Sequence, residues 1–233
     1  MKTLDQYKKL AADKAVEFIK DGMIVGLGSG STAEFALRKI AQLFKDGSLK
    51  KIQGIPSSKK TEKLARRLGI PLTDFSKTSG IDITIDGADE VDGQLNLIKG
   101  GGGALLREKI LIQASKQVII IIDESKLSKK LGTKWPVPIE VLPFGWQTEA
   151  KFLQSLRART KLRRRSNNKM YLTDQKNYIL DTDFGIIRHP EDLNIKLKLR
   201  AGIIEHGLFV DMASVIIIAG KKGITYLKRY EIL

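Results

Sequence analysis

A run of glycines with charged side chains on both sides is the part of the sequence best suited to chemistry. Asp86 and Asp89 precede Lys99, which opens the run Gly100–Gly103, and Glu108 follows it. Glycine loses more backbone entropy on ordering than any other residue, so four in a row indicate that another group approaches the backbone closely. Carboxylates near an ammonium group suit proton transfer beside a carbonyl, because one carboxylate takes the proton while the cation stabilises charge on oxygen. The pattern predicts an active-site loop that needs no metal or cofactor.

A second loop, Ser29-Gly30-Ser31-Thr32, follows the apolar run Met23–Gly28 and precedes a predicted helix. The N–H groups of a helix N-terminus are unpaired and carry partial positive charge, and glycines let an oxyanion approach them. The loop lacks the lysine of a P-loop and the third glycine of a dinucleotide fingerprint. It is typical of a phosphate site, but N-capping by Ser31 or Thr32 explains the same residues equally well.

Each charged residue also has a purely structural interpretation. Asp86 and Asp89 fit turns, Lys99 fits a solvated position, and Glu108 fits a surface helix where it pairs with lysines. The glycine run fits a flexible turn. We favour the functional interpretation because these residues cluster at strand ends, as Asp86 does after Ile81–Ile85. Ligands of open α/β sheets bind at the carboxyl ends of strands.

The order of predicted elements indicates an α/β fold. Short apolar runs alternate with amphipathic stretches, and the repeated βαβ order predicts a Rossmann-like, mostly parallel sheet flanked by helices. Predicted strands cover residues 23–28, 52–55, 81–85 and 118–122. Predicted helices cover residues 4–20, 33–43, 57–68 and the stretch that starts at 105.

The pattern changes after Leu131, where prolines interrupt the regular order. Beyond it we predict helices at 147–156 and 190–199, and a hairpin that pairs Met170–Thr173 with Tyr178–Leu180. Strands at 203–204, 208–210, 215–219 and 224–226 are expected to rejoin the main sheet. The predicted domains are therefore a Rossmann-like catalytic domain of residues 1–131 plus 203–233, and a smaller inserted α+β (ferredoxin-like) domain of residues 132–202.

The composition excludes several classes of site. The chain has no cysteine, which excludes disulfides, thiolate metal sites and thiol nucleophiles. His189 and His206 are the two histidines, which argues against a multi-histidine metal site. No apolar run is long enough to span a membrane, and the charged, amphipathic N-terminal stretch does not fit a signal peptide. We therefore expect a cytoplasmic protein.

The formal net charge of +15 raises the alternative of nucleic-acid binding. The charge is spread along the chain, and its one compact block, Lys161-Leu162-Arg163-Arg164-Arg165, is interpreted as a solvated turn. We expect no specific nucleic-acid partner, and a positive field that steers small anionic substrates inward.

Several motifs together resemble those of one known family. The first three in chain order are the most specific, and the complete set is Gly26–Ala33, Asp86–Glu90, Lys99–Lys109, Asp123–Lys126, Pro138–Val141, Pro143–Gly145 and Glu205–Phe209. With these residues the sequence resembles the type A ribose-5-phosphate isomerases along nearly the whole chain.

The resemblance implies an enzyme that interconverts D-ribose 5-phosphate and D-ribulose 5-phosphate through an enediol, in the pentose phosphate pathway. It implies no cofactor and a homodimer or higher homo-oligomer. Glu108 would be the base that moves the proton between C2 and C1, and Asp86, Asp89 and Lys99 would contact the sugar oxygens. The other substrate-binding residues that it implies are Ser29, Gly30, Ser31, Thr32, Gly87, Ala88, Gly100, Gly101, Gly102, Lys126 and Lys8.

One departure from the family pattern lies in the turn Thr173–Asn177, where Lys176 replaces the usual glycine. A side chain with a Cβ resists positive φ, so we expect a different turn geometry there. This affects the turn or an interface and leaves the catalytic residues untouched.

Two alternative functions share this fold. A CoA-transferase-like enzyme would use a glutamate as a covalent nucleophile, and a sugar-phosphate-sensing effector domain would bind without turnover. The loop Ser29–Thr32 and the pair of Lys99 with Glu108 favour the isomerase. Regulators of the second kind carry an N-terminal DNA-binding domain, for which we expect no room before Met23.

Overall fold

The computed structural model describes residues 3–229, and within that range it contains six α-helices and thirteen β-strands. The helices are α1 (Leu4–Val16), α2 (Ser31–Lys45), α3 (Lys59–Leu68), α4 (Leu105–Gln113), α5 (Trp146–Ser155) and α6 (Pro190–Lys198). The strands are β1 (Ile24–Leu27), β2 (Gln53–Pro56), β3 (Ile81–Gly87), β4 (Glu90–Val91), β5 (Leu97–Ile98), β6 (Ser115–Asp123), β7 (Val137–Val141), β8 (Arg159–Leu162), β9 (Tyr178–Asp183), β10 (Ile203–His206), β11 (Leu208–Phe209), β12 (Val215–Gly220) and β13 (Gly223–Lys228).

The chain divides into two compact units. The first comprises the described residues up to Ala88, Arg107–Lys126 and the described residues from Met212 onward. Its six-stranded sheet has the order β13-β12-β6-β3-β1-β2, and all neighbours are parallel except β12 and β13. The apolar runs in β6 and β12 are buried, as strands covered by helices on both faces require. The predicted mostly parallel sheet is confirmed.

The helices of the first unit follow local signals in the sequence. Ser58 caps α3 by accepting a hydrogen bond from the Thr61 N–H at 3.0 Å, and Gly69 ends that helix in the left-handed conformation. The alanines of α1 are buried in the apolar core. Helix α1 ends at Val16, four residues earlier than predicted.

Parallel pairing brings several strand ends to one edge of this sheet. The chain leaves β1 into Gly28–Thr32, β2 into Ser57 and Ser58, and β6 into a short 3-10 turn that contains Lys126. Asp86 lies near the end of β3, where it pairs in register with Ile120. The first unit thus carries its polar side chains at the carboxyl ends of its strands.

The second unit, Asp89–Leu106 with Leu127–Asp211, contains two further sheets. The order β7-α5-β8-β9-α6-β10 along the chain forms an antiparallel sheet of order β10-β7-β9-β8, which is the ferredoxin-like arrangement. The short strands β4, β5 and β11 form a three-stranded antiparallel sheet. The predicted α+β fold with a ferredoxin-like order is present.

The predicted hairpin of this unit is wrong. Met170–Thr173 forms no strand, and β9 pairs with β8 instead. Strand β8 alternates exposed charged residues with half-buried ones at a sheet edge, so it lacks the apolar run that marks a buried strand. Met170 takes part only in an isolated bridge with Arg164.

The prediction that all C-terminal strands rejoin the main sheet is also wrong in part. Strand β10 pairs with β7, and β11 pairs with β5, whereas β12 and β13 do lie in the six-stranded sheet. Short apolar strands do not encode their partner, which tertiary packing selects. Compact units are not by themselves independently folding domains, so the domain ranges 1–131 plus 203–233 and 132–202 stay a prediction. Their ends beyond residues 3 and 229 lie outside the described part of the chain.

The changed geometry that we expect for the turn at Lys176 is not observed. Lys176 adopts φ +65° although it is not glycine. Its N–H donates to the Thr173 carbonyl at 2.9 Å, and the Thr173 N–H donates to the Asn177 carbonyl at 3.0 Å. The turn keeps the left-handed residue and carries the strain of a side chain there.

No helix formed by residues 3–229 is both long enough and apolar enough to cross a membrane.

Candidate active site

The loop Gly28–Thr32 leads directly into α2 and leaves the start of that helix open. Gly30 is the N-cap residue, with φ +98°, and no side chain caps the helix. The predicted alternative, capping by Ser31 or Thr32, is therefore wrong. The first N–H groups of α2 remain available to an anion, and the partial positive charge of the helix end favours one.

Ser29 has a different role from its neighbours in this loop. Its N–H donates to Asp86 Oδ1 at 3.0 Å. Its hydroxyl lies 2.8 to 2.9 Å from three other hydroxyl oxygens, those of Ser57, Ser58 and Thr61. One hydroxyl offers one donor and two lone pairs, so these contacts saturate it. Ser29 therefore anchors the loop.

Asp86 supports the same loop from the end of β3. The side chain is buried, and its Oδ1 accepts from the N–H groups of Ser29 and Gly87, at 3.0 and 2.8 Å. The Cα of Asp86 lies so close to Gly28 that a Cβ on Gly28 would meet it at 2.6 Å. Position 28 must therefore be glycine for the aspartate to lie beside the loop.

Glu108 lies in the first turn of α4 and is 5% exposed. The start of a helix stabilises negative charge, which suits a buried carboxylate. Lys109, the next residue, is buried as well. Both belong to the first unit, as do Lys126 and Lys8. Lys126 is half-buried, and Lys8 pairs with Asp5 of its own helix at 3.4 Å.

The second unit carries Asp89, Lys99 and the glycine run, whereas Gly87 and Ala88 belong to the first unit. Asp89 accepts a hydrogen bond from the Gly101 N–H at 2.7 Å, which joins the acidic motif to the glycine run. The Lys99 side chain is 2% exposed, and its Nζ lies 5.6 Å from the centre of the Phe209 ring. A cation over an aromatic face is stabilised by the ring quadrupole. Gly207 accepts from the Lys99 N–H at 2.9 Å and so fixes the backbone of Lys99.

Glu90, the last residue of the acidic motif, has a structural task. Its buried carboxylate accepts four backbone N–H groups at 3.1 to 3.2 Å, from the successive residues Gly132, Thr133, Lys134 and Trp135. Charge-assisted hydrogen bonds of this kind satisfy a buried carboxylate. Glu90 therefore fixes the segment that leads into β7.

Within residues 3–229, no group of three or more histidine, cysteine, aspartate or glutamate side chains is placed to hold a metal ion.

Comparison with known proteins places these features in one family. The family described as ribose 5-phosphate isomerase A (phosphoriboisomerase A) matches residues 53–223, which is more than half of the chain. The chain belongs to the ribose-5-phosphate isomerase A family. The family predicted from the motifs is thereby confirmed.

Individual relatives match along their whole length. The chain is 54% identical over 228 residues to ribose-5-phosphate isomerase A of Desulfatibacillum aliphaticivorans, covering 98% of this chain and 99% of that protein. It is 44% identical to the solved ribose 5-phosphate isomerase of Plasmodium falciparum, with a TM-score of 0.93 and coverage of 97% and 99%. A D-ribose-5-phosphate isomerase solved in complex with phospho-erythronic acid gives 38% identity, a TM-score of 0.96 and coverage of 98% and 100%.

The family motifs and the sequence pattern both missed the residues that hold the glycine run. Arg163 Nη1 donates to the Gly100 carbonyl, and Tyr171 Oη donates to the Gly102 carbonyl, both at 3.0 Å. The prediction of a solvated turn for the basic block is wrong for Arg163, whose side chain is 13% exposed. The signal was weak because 63 and 69 residues separate these partners.

A further cation lies beside the loop before α2. Lys60, on α3, lines a small cleft with Gly28, Gly30 and Thr61. The sequence marks it only by its place two residues after the helix cap Ser58.

Proposed function

We propose that this chain interconverts D-ribose 5-phosphate and D-ribulose 5-phosphate by proton transfer through an enediol, within the pentose phosphate pathway. The observation that carries the proposal is the match to the ribose-5-phosphate isomerase A family along nearly the full chain. Two features of the structure also support the proposal: the uncapped start of α2, which can bind a phosphate, and the buried carboxylate of Glu108, which can act as a base. Neither alternative, a CoA-transferase or an effector domain, has comparable support.

The start of α2 is the proposed site of the substrate phosphate. The N–H groups of Gly30, Ser31 and Thr32, with the hydroxyls of Ser31 and Thr32, supply the donors. Ser29 acts by holding the loop, because its own donors are taken. Lys60 adds positive charge beside this loop.

Glu108 is the proposed base. In the open-chain aldose its carboxylate takes the proton from C2, the C2 electron pair forms the C1–C2 double bond, and the C1 oxygen receives the negative charge. The same carboxyl then returns the proton to C1 while the proton of the C2 hydroxyl passes to the C1 oxygen, which leaves a ketone at C2 and a hydroxyl at C1. Atoms and charge balance with one base and no redox partner.

The remaining predicted residues are proposed to act on the sugar oxygens. Asp86 and Asp89 accept hydrogen bonds from hydroxyls and assist ring opening, and the ammonium group of Lys99 stabilises the enediolate. Lys126 is proposed to contact the substrate as well. Lys8, which pairs with Asp5, is proposed as a further contact to the phosphate. Gly87, Ala88 and Gly100–Gly102 are proposed to contribute backbone groups.

We also propose that the chain works in the cytoplasm as a homodimer or higher homo-oligomer. Support for self-association comes from apolar side chains that the second unit exposes, including Phe144 at 94% and Leu199 at 79%. The segment that carries Phe144 lies beside the end of α6, since the Leu142 N–H donates to the Gly202 carbonyl at 2.9 Å. Exposed apolar groups of this size mark interaction surfaces when they form a patch.

The test is direct observation of the product. Purified chain is incubated with D-ribose 5-phosphate and excess chelator, and the sugars are followed by NMR from both directions of the reaction. We expect the same final ratio of ribose 5-phosphate to ribulose 5-phosphate from either side, and little turnover of D-ribose, which lacks the phosphate. Folded protein that forms no ribulose 5-phosphate would overturn the proposal.

A further inference from the structure

Two side chains of the second unit occupy three successive carbonyls of the glycine run. Arg163 Nη1 donates to the carbonyls of Gly100 and Gly101, at 3.0 and 3.1 Å, and Tyr171 Oη donates to that of Gly102 at 3.0 Å. A Cβ on Gly103 would meet the Tyr171 hydroxyl at 2.3 Å. The glycine run is therefore held in place from outside, and its lack of side chains makes room for the groups that hold it.

Arg163 is itself held rigidly. Its Nε donates to Asp181 Oδ2 at 2.9 Å and its Nη2 to Asp181 Oδ1, so one edge of the guanidinium faces the carboxylate while Nη1 faces the loop. The Arg163 side chain is 13% exposed. The planar fork of a guanidinium serves both partners at once, which a lysine ammonium cannot do in the same geometry.

The direction of these carbonyls fixes the direction of the loop N–H groups. In a trans peptide the C=O and the following N–H point to opposite sides. The Gly101 carbonyl faces Arg163, so the Gly102 N–H faces away from it. A peptide whose carbonyl accepts from a guanidinium is polarised, which strengthens its N–H as a donor.

We propose that Arg163, seated by Asp181 and assisted by Tyr171, is a positioning residue for the isomerase reaction. It orients and polarises the Gly101–Gly102 peptide so that the Gly102 N–H donates to a sugar oxygen as charge develops on that oxygen. The inference rests on the proposed function, because it assumes that the glycine run binds the sugar. It adds a residue outside every family motif found in the sequence.

A neighbouring ion pair provides the control. Arg159, on β8, and Asp183, on β9, form another Arg–Asp pair near the one between Arg163 and Asp181. The Arg159 side chain donates a hydrogen bond to the carboxylate of Asp183. The Arg159 side chain is 86% exposed, against 13% for Arg163, and Arg159→Met removes an Arg–Asp ion pair without removing a contact to the glycine run.

The experiment measures kcat and KM for ribose 5-phosphate in the unchanged chain, Arg163→Met, Arg163→Lys and Arg159→Met. We expect Arg163→Met to lower kcat by about tenfold or more, with a smaller change in KM because the phosphate binds at α2. Arg163→Lys is expected to restore little, and Arg159→Met to match the unchanged chain. Inorganic phosphate should inhibit all four with similar potency.

If Arg163→Met does not fold, Tyr171→Phe provides the test. This variant removes only the hydroxyl that donates to the Gly102 carbonyl. It should lower kcat by several-fold with little change in KM. If Arg163→Met or Tyr171→Phe matches Arg159→Met in kcat, the inference is overturned and the proposed function stands. If the unchanged chain itself fails to turn over ribose 5-phosphate, the proposed function and this inference both fall.

Discussion

The two glycine-containing loops of the proposed site are stabilised in different ways. The loop Gly28–Thr32 is anchored by Asp86 and by hydroxyls of the next strand end and helix, and the helix that it starts leaves its first N–H groups open. The glycine run Gly100–Gly103 has its carbonyls taken by Arg163 and Tyr171. The first loop exposes donors because of secondary structure, whereas the second depends on side chains from distant positions.

This difference has consequences for mutation. A change beneath the first loop should act mainly on stability and on binding of the phosphate, because the loop sets the position of the helix end that supplies the donors. A change around the second loop should act on the rate, because the orientation of its peptides depends on the side chains that hold them.

Among changes to the two loops, the largest effect is expected at Gly28, where the first loop has no space for a side chain. Gly28→Ala brings a Cβ to 2.6 Å from the Asp86 Cα and 2.3 Å from its Oδ1, so the loop must shift. We expect a loss of about 2 to 3 kcal/mol in the free energy of unfolding and about a hundredfold loss in kcat/KM.

The control for that variant is Gly93→Ala. Nothing lies within 4 Å of the added methyl group there, and no positive φ is involved. We expect Gly93→Ala to match the unchanged chain in its free energy of unfolding in urea and in its steady-state kinetics. A Gly28→Ala protein with normal stability and rate would mean that the loop is not held against Asp86 as described.

A pair of hydroxyl deletions separates anchoring from binding within the first loop. Ser29→Ala leaves Ser57, Ser58 and Thr61 without a shared partner and should lower the free energy of unfolding by about 1 to 2 kcal/mol. Thr32→Ala should raise KM for ribose 5-phosphate more than Ser29→Ala does, at a smaller loss of stability. The reverse order in KM would place the phosphate on the Ser29 hydroxyl.

A pH series examines how far the support of the second loop extends. Thr173 and Asn177 donate to Glu140 Oε1 at 2.8 and 2.9 Å, and Tyr171 lies two residues before Thr173. Burial raises the pKa of the Glu140 carboxyl above its usual range. A folded state with a raised carboxyl pKa binds the proton more tightly than the unfolded state.

The stability that protonated Glu140 contributes is therefore complete below the pKa of the unfolded carboxyl and is lost as the pH rises through the raised pKa. Glu140→Gln cannot ionise, so its free energy of unfolding should decline less over that window. Urea titrations at pH values from acid to neutral measure the difference. If the free energy of unfolding changes with pH in the same way in both proteins, the raised pKa of Glu140 is contradicted.

The smallest effect is expected at Lys176. A lysine at φ +65° is strained, and Lys176→Gly should raise the free energy of unfolding by about 0.5 to 1 kcal/mol, since the entropy cost of glycine offsets part of the gain. Thermal unfolding measures it. Because the turn already has the left-handed geometry, kcat should not change; a slower variant would show that the lysine itself serves the second loop.

The sequence predicted those parts of the fold that local patterns encode. The buried strands of the main sheet and the helix predicted over 57–68, observed as Lys59–Leu68, follow from the sequence, because apolar runs and capping residues act within a few positions. Strand β8 was missed because its charged residues alternate at a sheet edge. The sheet that receives β10 was predicted wrongly because strand pairing is a tertiary choice.

The same limit applies to the site. Asp86 and the loop before α2 were predicted because a strand end and a helix start adjoin them in the sequence. Arg163 was hidden within a basic block, and only the fold brings it to the glycine run. The motif residue Glu90 supports a structural segment, a role that its position in the acidic run did not indicate.

The central claim is that Glu108 moves the proton, and Glu108→Gln tests it most directly because it keeps the shape and removes the base. Glu62→Gln, at a first-turn glutamate of α3 that pairs with Arg66, is the control. We predict that Glu108→Gln lowers kcat for ribose 5-phosphate by about 10³-fold while ribose 5-phosphate still binds, measured by calorimetry. Turnover equal to that of Glu62→Gln, in a folded Glu108→Gln protein, would contradict the account.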